Sequence, residues 1–307
     1  MKNCENCRFN SDRSEFDLKK CKKCSRTDRA YFEPIPNAAS IMEGLMKDGT
    51  YPSLNNIKSR LKTIQKTMEK ELSGSESKRH EFSRYNVVAK FVPKKINSID
   101  YEGLNEFLYN VGLLLPVVKI DHKQVKKDQE VLDILECYQL EPTYYVKPNF
   151  NKKGKELNQA DPFEIEGWSL DHLAGTYSNL NSQLEHYKFD YEKAKLAMLE
   201  CKELLQDKKL SHEFGSVSLI ANDPLYNVPA INEELGEDFL IKYGKPDTDK
   251  LDYFITKGTI SKRDIEQFKT VTDIRLDFIV MELDKERRML EMLHNKTIRT
   301  GLNLMRA

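Results

Sequence analysis

Four cysteines near the start of the chain have the spacing of a metal site. Cys4 and Cys7 form one C-x2-C pair, and Cys21 and Cys24 form a second pair after thirteen intervening residues. Each pair closes a tight turn whose two sulfurs point the same way, so two facing pairs supply the tetrahedral thiolate set that Zn2+ accepts. We expect a structural Zn2+ as the cofactor, because four thiolates leave no open position for catalysis.

The same cysteines have three other interpretations: a disulfide pair, a redox-active C-x-x-C, or iron in place of zinc. Disulfides belong to exported proteins, and the start MKNCENCRFN has no apolar segment typical of a secretory signal. A thioredoxin-type motif belongs at a strand-to-helix junction, whereas this segment is polar. We therefore favour zinc and expect a cytoplasmic location.

The run CENCRFNSDRSEFDLKKCKKC, followed by YFEP, resembles small zinc-ribbon modules of proteins from low-GC Gram-positive bacteria and their phages. The resemblance covers residues 1–34. It implies a module that binds protein or nucleic acid, and a chain encoded by a phage or mobile element.

Composition places the rest of the chain among soluble, charge-rich proteins. The 307 residues carry no net charge, 32% are charged, and no run of about eighteen apolar residues predicts a membrane-spanning helix. Charge is uneven, because residues 1–100 contain 21 Lys and Arg against 13 Asp and Glu. This excess predicts either a basic arm for nucleic acid or two halves that lie against each other or against a partner.

Two basic segments are candidates for nucleic-acid contacts. The first is a helix that begins at Ser53, whose apolar stripe leaves Lys58, Arg60, Lys62 and Lys66 on other faces. The second is residues 143–155, where aromatic side chains alternate with Lys147, Lys152 and Lys153 in the pattern of a stacking platform. The alternatives are a solvated helix face and a Tyr-rich strand with an exposed loop.

A regular apolar stripe predicts a long helix over residues 170–205, capped by Ser169. Its spacings alternate between three and four over five heptads, which is typical of a coiled-coil seam. The residues that we expect to form an interaction seam are Leu173, Tyr177, Leu180, Leu184, Tyr187 and Tyr191.

A second long helix is predicted from Ser261 to about Asn295. Ser261 and Asp264 have the spacing of a capping box, and Ile265, Phe268, Leu276, Ile279 and Leu283 suggest an apolar stripe. We expect the two helices to pair as an antiparallel hairpin around a loop-rich insert at about 209–260. Met289 and Met292 lie outside the stripe, which indicates either a further protein contact or core filling.

The predicted fold is mainly α with a small α+β part. The segments are a zinc module at 1–34, a helical segment at 35–75, an α+β region at 76–165 and the helical hairpin at 166–307. The α+β region should contain strands at 85–92, ending at Pro93, and at 117–120, with helices that begin at Asp100 and Asp121. Cys137 and Cys201 lie on apolar helix faces and are expected in the core.

The usual catalytic signatures are missing, including the phosphate-binding loops, H-E-x-x-H and G-x-S-x-G. The six histidines are scattered singly. We therefore predict a non-enzymatic interaction or regulatory protein that acts on a host complex such as a defence system. Its helical hairpin should mediate docking to a protein partner or self-association into a homo-oligomer. The alternative is a DNA- or RNA-binding regulator that uses the basic N-terminal third. No membrane partner is expected.

Overall fold

A computed structural model describes residues 37–304 of the chain, with side chains to Gly301. The predicted zinc module, with Cys4, Cys7, Cys21 and Cys24, lies outside the described residues. The described part is rich in helix and contains small antiparallel sheets, so the mixed, helix-rich α+β class is confirmed.

Fourteen helices and eight strands make up residues 37–304. The helices are α1 (Ala38–Lys47), α2 (Thr50–Leu72), α3 (Tyr101–Asn110), α4 (Leu114–Val117), α5 (His122–Val125), α6 (Gln129–Leu135), α7 (Lys152–Leu157), α8 (Leu170–Leu199), α9 (Lys202–Asp207), α10 (Val228–Leu235), α11 (Glu237–Tyr243), α12 (Thr248–Lys257), α13 (Lys262–Glu266) and α14 (Leu283–Leu304). The strands are β1 (Arg79–Phe82), β2 (Val87–Ile99), β3 (Val118–Ile120), β4 (Tyr144–Phe150), β5 (Lys209–His212), β6 (Gly215–Ala221), β7 (Gly244–Pro246) and β8 (Lys269–Glu282). They form three sheets, in the orders β1-β2-β8, β3-β7 and β4-β6-β5.

Several predicted helix starts are confirmed by their caps. The Asp100 side chain accepts a hydrogen bond from the Gly103 amide, and the Ser169 hydroxyl accepts one from the His172 amide at 3.2 Å. These bonds satisfy amides that the first helical turn leaves without partners. The start at Ser53 is wrong, because α2 already begins at Thr50.

The predicted continuous helix over 261–295 is wrong, although its last part, residues 283–295, is helical in α14. The capping box of Ser261 and Asp264 forms, but it starts only the five-residue α13, and residues 269–282 form β8. The apolar stripe had a gap of eight positions between Phe268 and Leu276, and the segment KTVTDIRLDFIV is rich in β-branched residues. The antiparallel hairpin with α8 is therefore absent from the described residues.

The predicted strand end at Pro93 is also wrong, since β2 continues to Ile99. The Phe91 amide donates to the Lys78 carbonyl at 2.8 Å, on the side of β2 away from β8. Backbone groups alternate in direction along a strand, so Pro93 occupies a position whose missing N–H would also point away from β8.

The partner of α8 is α2. Tyr51 and Tyr191 have ring centroids 5.0 Å apart, and fourteen residues further along α2 the Gln65 side chain hydrogen bonds to Tyr177. Moving fourteen residues forward along α2, from Tyr51 to Gln65, corresponds to moving fourteen residues backward along α8, from Tyr191 to Tyr177. The two helices therefore run antiparallel.

The chain divides into two compact units. The first, with the described segments 37–59, 144–162 and 182–220, has a core around Met42, Met198 and Phe214. The second unit has the described segments 60–143, 163–181 and 221–304. One core of the second unit surrounds Leu108, Leu135, Ile231 and Leu240.

Candidate interaction surface

The most prominent exposed feature of the second unit is a long two-stranded ribbon formed by β2 and β8. Its register runs from Val87 opposite Glu282 to Ile99 opposite Lys269. Val87, Val88 and Ala89 are buried, whereas residues 93–98 of β2 and 270–276 of β8 are exposed. The ribbon therefore leaves the core at one end and is open on both faces further along.

Residues that face each other across the two strands share one face of the ribbon. We call one face the apolar face; its paired residues are Phe91 with Phe278, Pro93 with Leu276, and Lys95 with Ile274. We call the other the charged face; its pairs are Val92 with Asp277, Lys94 with Arg275, and Ile96 with Asp273.

The apolar face exposes large aliphatic side chains to solvent. Ile274 is 59% exposed and Leu276 is 52% exposed. Both belong to a strand, a rigid element that presents them side by side next to Pro93. Contiguous exposed apolar surface of this kind is typical of a protein-binding site.

The charged face carries ion pairs that are local to the ribbon. Arg275 Nε lies 2.7 Å from Asp277 Oδ1, and Lys94 Nζ lies 3.9 Å from the other carboxylate oxygen of Asp277. These groups are exposed, so the pairs contribute little to stability. They set the charge pattern of the face.

Helix α8 holds the buried end of the ribbon on one side. The Tyr177 hydroxyl donates to the Val280 carbonyl at 2.6 Å, and the Asn181 amide donates to Glu282 at 2.9 Å. Burial raises the pKa of Tyr177, so the phenol keeps the proton that this hydrogen bond requires.

Helix α14 is fixed to the charged face through Glu286, whose side chain is 5% exposed. Arg79 Nη2 donates to Glu286 Oε2 at 2.7 Å, and Lys90 Nζ donates to Oε1 at 2.5 Å. The hydrogen bond from Arg79 is the largest cause that holds the pKa of Glu286 below its ordinary value, and the hydrogen bond from Lys90 lowers the pKa further. Beyond this anchor, α14 exposes Met289, Leu290, Met292 and Leu293.

A cleft of about 770 Å3 lies between α12, α13 and the later turns of α14. Leu251, Ile255, Ile265 and Leu293 line it with apolar side chains, and its charged side chains are of both signs: Asp249, Asp252, Lys262, Lys269 and Lys296. Lys296 is bonded to Asp252. The apolar part of this lining suits an apolar segment.

The basic residues singled out from the sequence lie on the surface. Lys58, Lys62 and Lys66 are exposed along α2, and the Arg60 guanidinium lies 5.3 Å from the centroid of the Phe163 ring. Lys147 is an exposed residue of β4, and Lys152 and Lys153 begin α7. Lys153 is paired with Glu213. Residues 144–150 are a strand, as the simpler interpretation of that segment predicted.

The predicted interaction seam is used inside the chain. Leu173, Tyr177, Leu180 and Leu184 are buried, and Tyr187 and Tyr191 are half-buried. The stripe faces α2 and the ribbon, as the contacts of Tyr177 and Tyr191 show. In the described part of the chain, the regular spacing of these residues reflects packing within the chain.

Within residues 37–301, neither Cys137 nor Cys201 belongs to a group with the arrangement of a metal site. Cys201 is buried as predicted, whereas Cys137 is exposed, so its predicted core position is wrong. Among residues 37–301, no group of three or more His, Cys, Asp or Glu side chains has the arrangement of a metal site. In the same part of the chain, no helix is both long and apolar enough to cross a membrane.

Sequence reasoning missed the ribbon. Alternation and β-branched residues in KTVTDIRLDFIV could have indicated β8, and YNVVAKFV indicated only half of β2. Comparison with protein-family models, curated proteins and solved structures gives no match to this chain.

Proposed function

We propose that this chain is a non-catalytic interaction protein whose docking surface is the apolar face of the ribbon. The observation that carries this proposal is the exposure of Ile274 and Leu276 on β8, at positions that α8 and α14 do not cover. A strand fixed at its buried end offers a preformed surface, so binding orders few additional residues.

The proposed partner is a protein with an apolar patch of its own. Face-to-face burial of aliphatic side chains favours association by about 25 cal/mol for each Å2 removed from water. Lys95 on the apolar face favours an acidic rim on that partner. The resemblance of residues 1–34 to phage-associated zinc modules supports a partner in a host complex, such as a defence system.

A structural zinc ion at Cys4, Cys7, Cys21 and Cys24 is part of this proposal. Two C-x2-C pairs support it through their spacing alone. A zinc module of this kind would add a second binding element to the ribbon.

Binding to DNA or RNA is the second candidate function, and one observation favours it. Lys58, Lys62 and Lys66 are exposed at intervals of four residues along α2, and none of them forms an ion pair with a described residue. Residues four apart lie about 6 Å from each other on a helix, so the three lysines form a row of cations along α2. The row supports a contact with a polyanion that weakens as salt rises.

Capture from a lysate of the source cells tests the leading proposal. Wild-type chain, Ile274→Lys and Ile96→Lys are immobilised at equal density, and the bound proteins are compared. The two variants make the same substitution on opposite faces of the ribbon. We expect Ile274→Lys to lose a partner that the other two chains retain; equal recovery with all three would contradict the proposal.

Titration of duplex and single-stranded DNA at 50 to 200 mM salt tests the second candidate function, for which a steep fall in affinity with rising salt is expected.

A further inference from the structure

The free edge of β8 carries backbone groups that form no hydrogen bond with another strand of the described chain. In the sheet order β1-β2-β8, strand β8 has β2 on one side and no strand on the other. The Phe91 amide points toward Lys78, away from β8, so the alternate residues Val92 and Lys94 exchange bonds with β8. Their partners are Asp277 and Arg275.

The residues between those partners therefore direct N–H and C=O toward the free edge. They are Ile274, Leu276 and Phe278. Two hydrogen bonds confirm this alternation: the Val280 carbonyl accepts from Tyr177, and the Ile274 amide donates to the Asp273 carboxylate at 2.8 Å. Leu276 lies opposite Pro93, and the backbone groups of both residues point away from the other strand, so this pair forms no backbone hydrogen bonds.

The usable edge has a defined length. At one end, the Val280 carbonyl is occupied by Tyr177. At the other end, the pairing steps from Ile96 opposite Asp273 to Asn97 opposite Val271, so Thr272 is an extra residue that bulges out of the ladder. Between these limits lie three outward-facing residues, and Leu276 is the middle one.

We propose that two copies of the chain pair edge to edge through Ile274–Phe278 of β8, antiparallel and with the two-fold axis at Leu276. This inference rests on the proposed function as an interaction protein and names one partner, a second copy. Adding a strand to an exposed sheet edge is a common mode of association. In this arrangement Leu276 lies opposite Leu276 of the second copy, and Ile274 lies opposite Phe278 of the second copy. The Ile274 amide gives up its hydrogen bond to Asp273 and donates instead to the carbonyl of that Phe278.

Charge selects this register. With the axis at Leu276, Arg275 of each copy lies opposite Asp277 of the other. An axis at Arg275 would place the two arginines together and Asp273 against Asp277, and an axis at Asp277 would oppose two carboxylates. An axis at Ile274 would align Leu276 with the bulged Thr272 and lose backbone bonds. Like charges in facing positions are destabilising, and opposite charges are favourable.

The pairing also extends the docking surface. Both copies keep the apolar face on the same side, so Ile274, Leu276 and Phe278 of the two chains become contiguous across four strands. The interface itself is short, and we expect a weak dimer with a Kd on the order of 10 to 100 µM.

Sedimentation velocity of the full chain, reduced and supplied with zinc, tests the pairing at about 5 to 500 µM. Arg275→Asp and Asp277→Arg should each weaken self-association about tenfold or more, because like charges then face each other. In an equimolar mixture, one chain is acidic and the other basic at positions 275 and 277. The mixture should therefore recover wild-type association, although neither chain has its internal ion pair. Unchanged thermal melting of each variant shows that the fold is intact.

A disulfide test fixes the register. Facing hydrogen-bonded residues have Cα atoms about 5.5 Å apart, within the range of a disulfide. Leu276→Cys should form a covalent dimer under mild oxidation, whereas Ile274→Cys should not, beyond the level that wild-type cysteines give.

A wild-type chain that stays monomeric at the highest concentration would overturn the inference, as would a mixture no tighter than its components. Cross-linking through Ile274→Cys alone would overturn the register. The charge variants lie on the charged face, so their failure leaves partner capture by the apolar face intact, and the two proposals are tested separately.

Discussion

The Arg79 guanidinium donates a hydrogen bond to the carboxylate of Glu286 at 2.7 Å and joins residues 207 positions apart. Lys90 supplies a second cation to the same carboxylate. Because Arg79 and Lys90 belong to neighbouring strands, this one acidic side chain fixes the start of α14 to two strands of the sheet. The position of the ribbon relative to α14 depends on it.

Replacing Glu286 should destabilise the second unit. Glu286→Ala leaves two cations without their common partner, and we expect the free energy of unfolding to fall by about 1–3 kcal/mol. The partial exposure of Arg79 keeps the loss below that of a fully buried pair. Urea denaturation measures it. Glu291→Ala, an exposed position on the same helix, is the control and should change stability by less than about 0.5 kcal/mol. Equal effects of the two substitutions would contradict this account.

The contribution of Glu286 should depend on pH in one direction. Its folded-state pKa lies below the ordinary value of 4.5, so the ionised form is stabilised by folding. This stability is fully present above pH 4.5 and is lost as pH falls through the folded-state pKa. The difference in unfolding free energy between wild type and Glu286→Gln should therefore be constant from pH 6 to 8 and shrink below 4.5. A difference that grows on acidification would contradict the prediction.

Removing the Tyr177 hydroxyl should cost stability and lengthen the free edge of β8. Tyr177→Phe leaves the buried Val280 carbonyl unpaired, and we expect a loss of about 1–2 kcal/mol in thermal or chemical denaturation. Tyr187→Phe is the matched control on the same helix, since its hydroxyl donates no hydrogen bond to a residue within 37–301. If both variants lose the same stability, the Tyr177 bond has no special role.

Metal analysis tests the cysteine assignment. Freshly reduced full chain should contain about one equivalent of zinc, and Cys4→Ser should lower that content. Cys137→Ser is the control, because Cys137 is exposed on the described part of the chain and belongs to no metal group there. Less than about half an equivalent of zinc or iron in the wild type would contradict four-thiolate ligation.

Local signals predicted much of the helical structure. Asp100, Ser169 and the Ser261–Asp264 box each began a helix, because capping depends on residues only three positions apart. The buried positions of α8 were also correctly assigned by their spacing. The elements that pack against these positions, α2 and the ribbon, were not predicted, because periodicity identifies a buried face but not the element that covers it.

The ribbon escaped prediction for two physical reasons. Its register joins Val87 to Glu282, and no local pattern encodes so distant a pairing. Residues 276–283 also fit two periods, because Leu276, Ile279 and Leu283 follow helical spacing while Leu276, Phe278 and Val280 alternate. Of these two possibilities, the strand forms because residues 269–282 pair with β2. The candidate docking surface lies in this pairing, so it too could not be predicted from sequence.

Binding of the purified captured partner to three chains tests the central claim most directly. Isothermal titration of wild type, Ile274→Lys and Ile96→Lys compares the same substitution on the apolar and charged faces. The account predicts that Ile274→Lys weakens binding at least about tenfold while Ile96→Lys stays within about threefold of wild type. Equal affinity for all three chains, or a loss confined to Ile96→Lys, would contradict it.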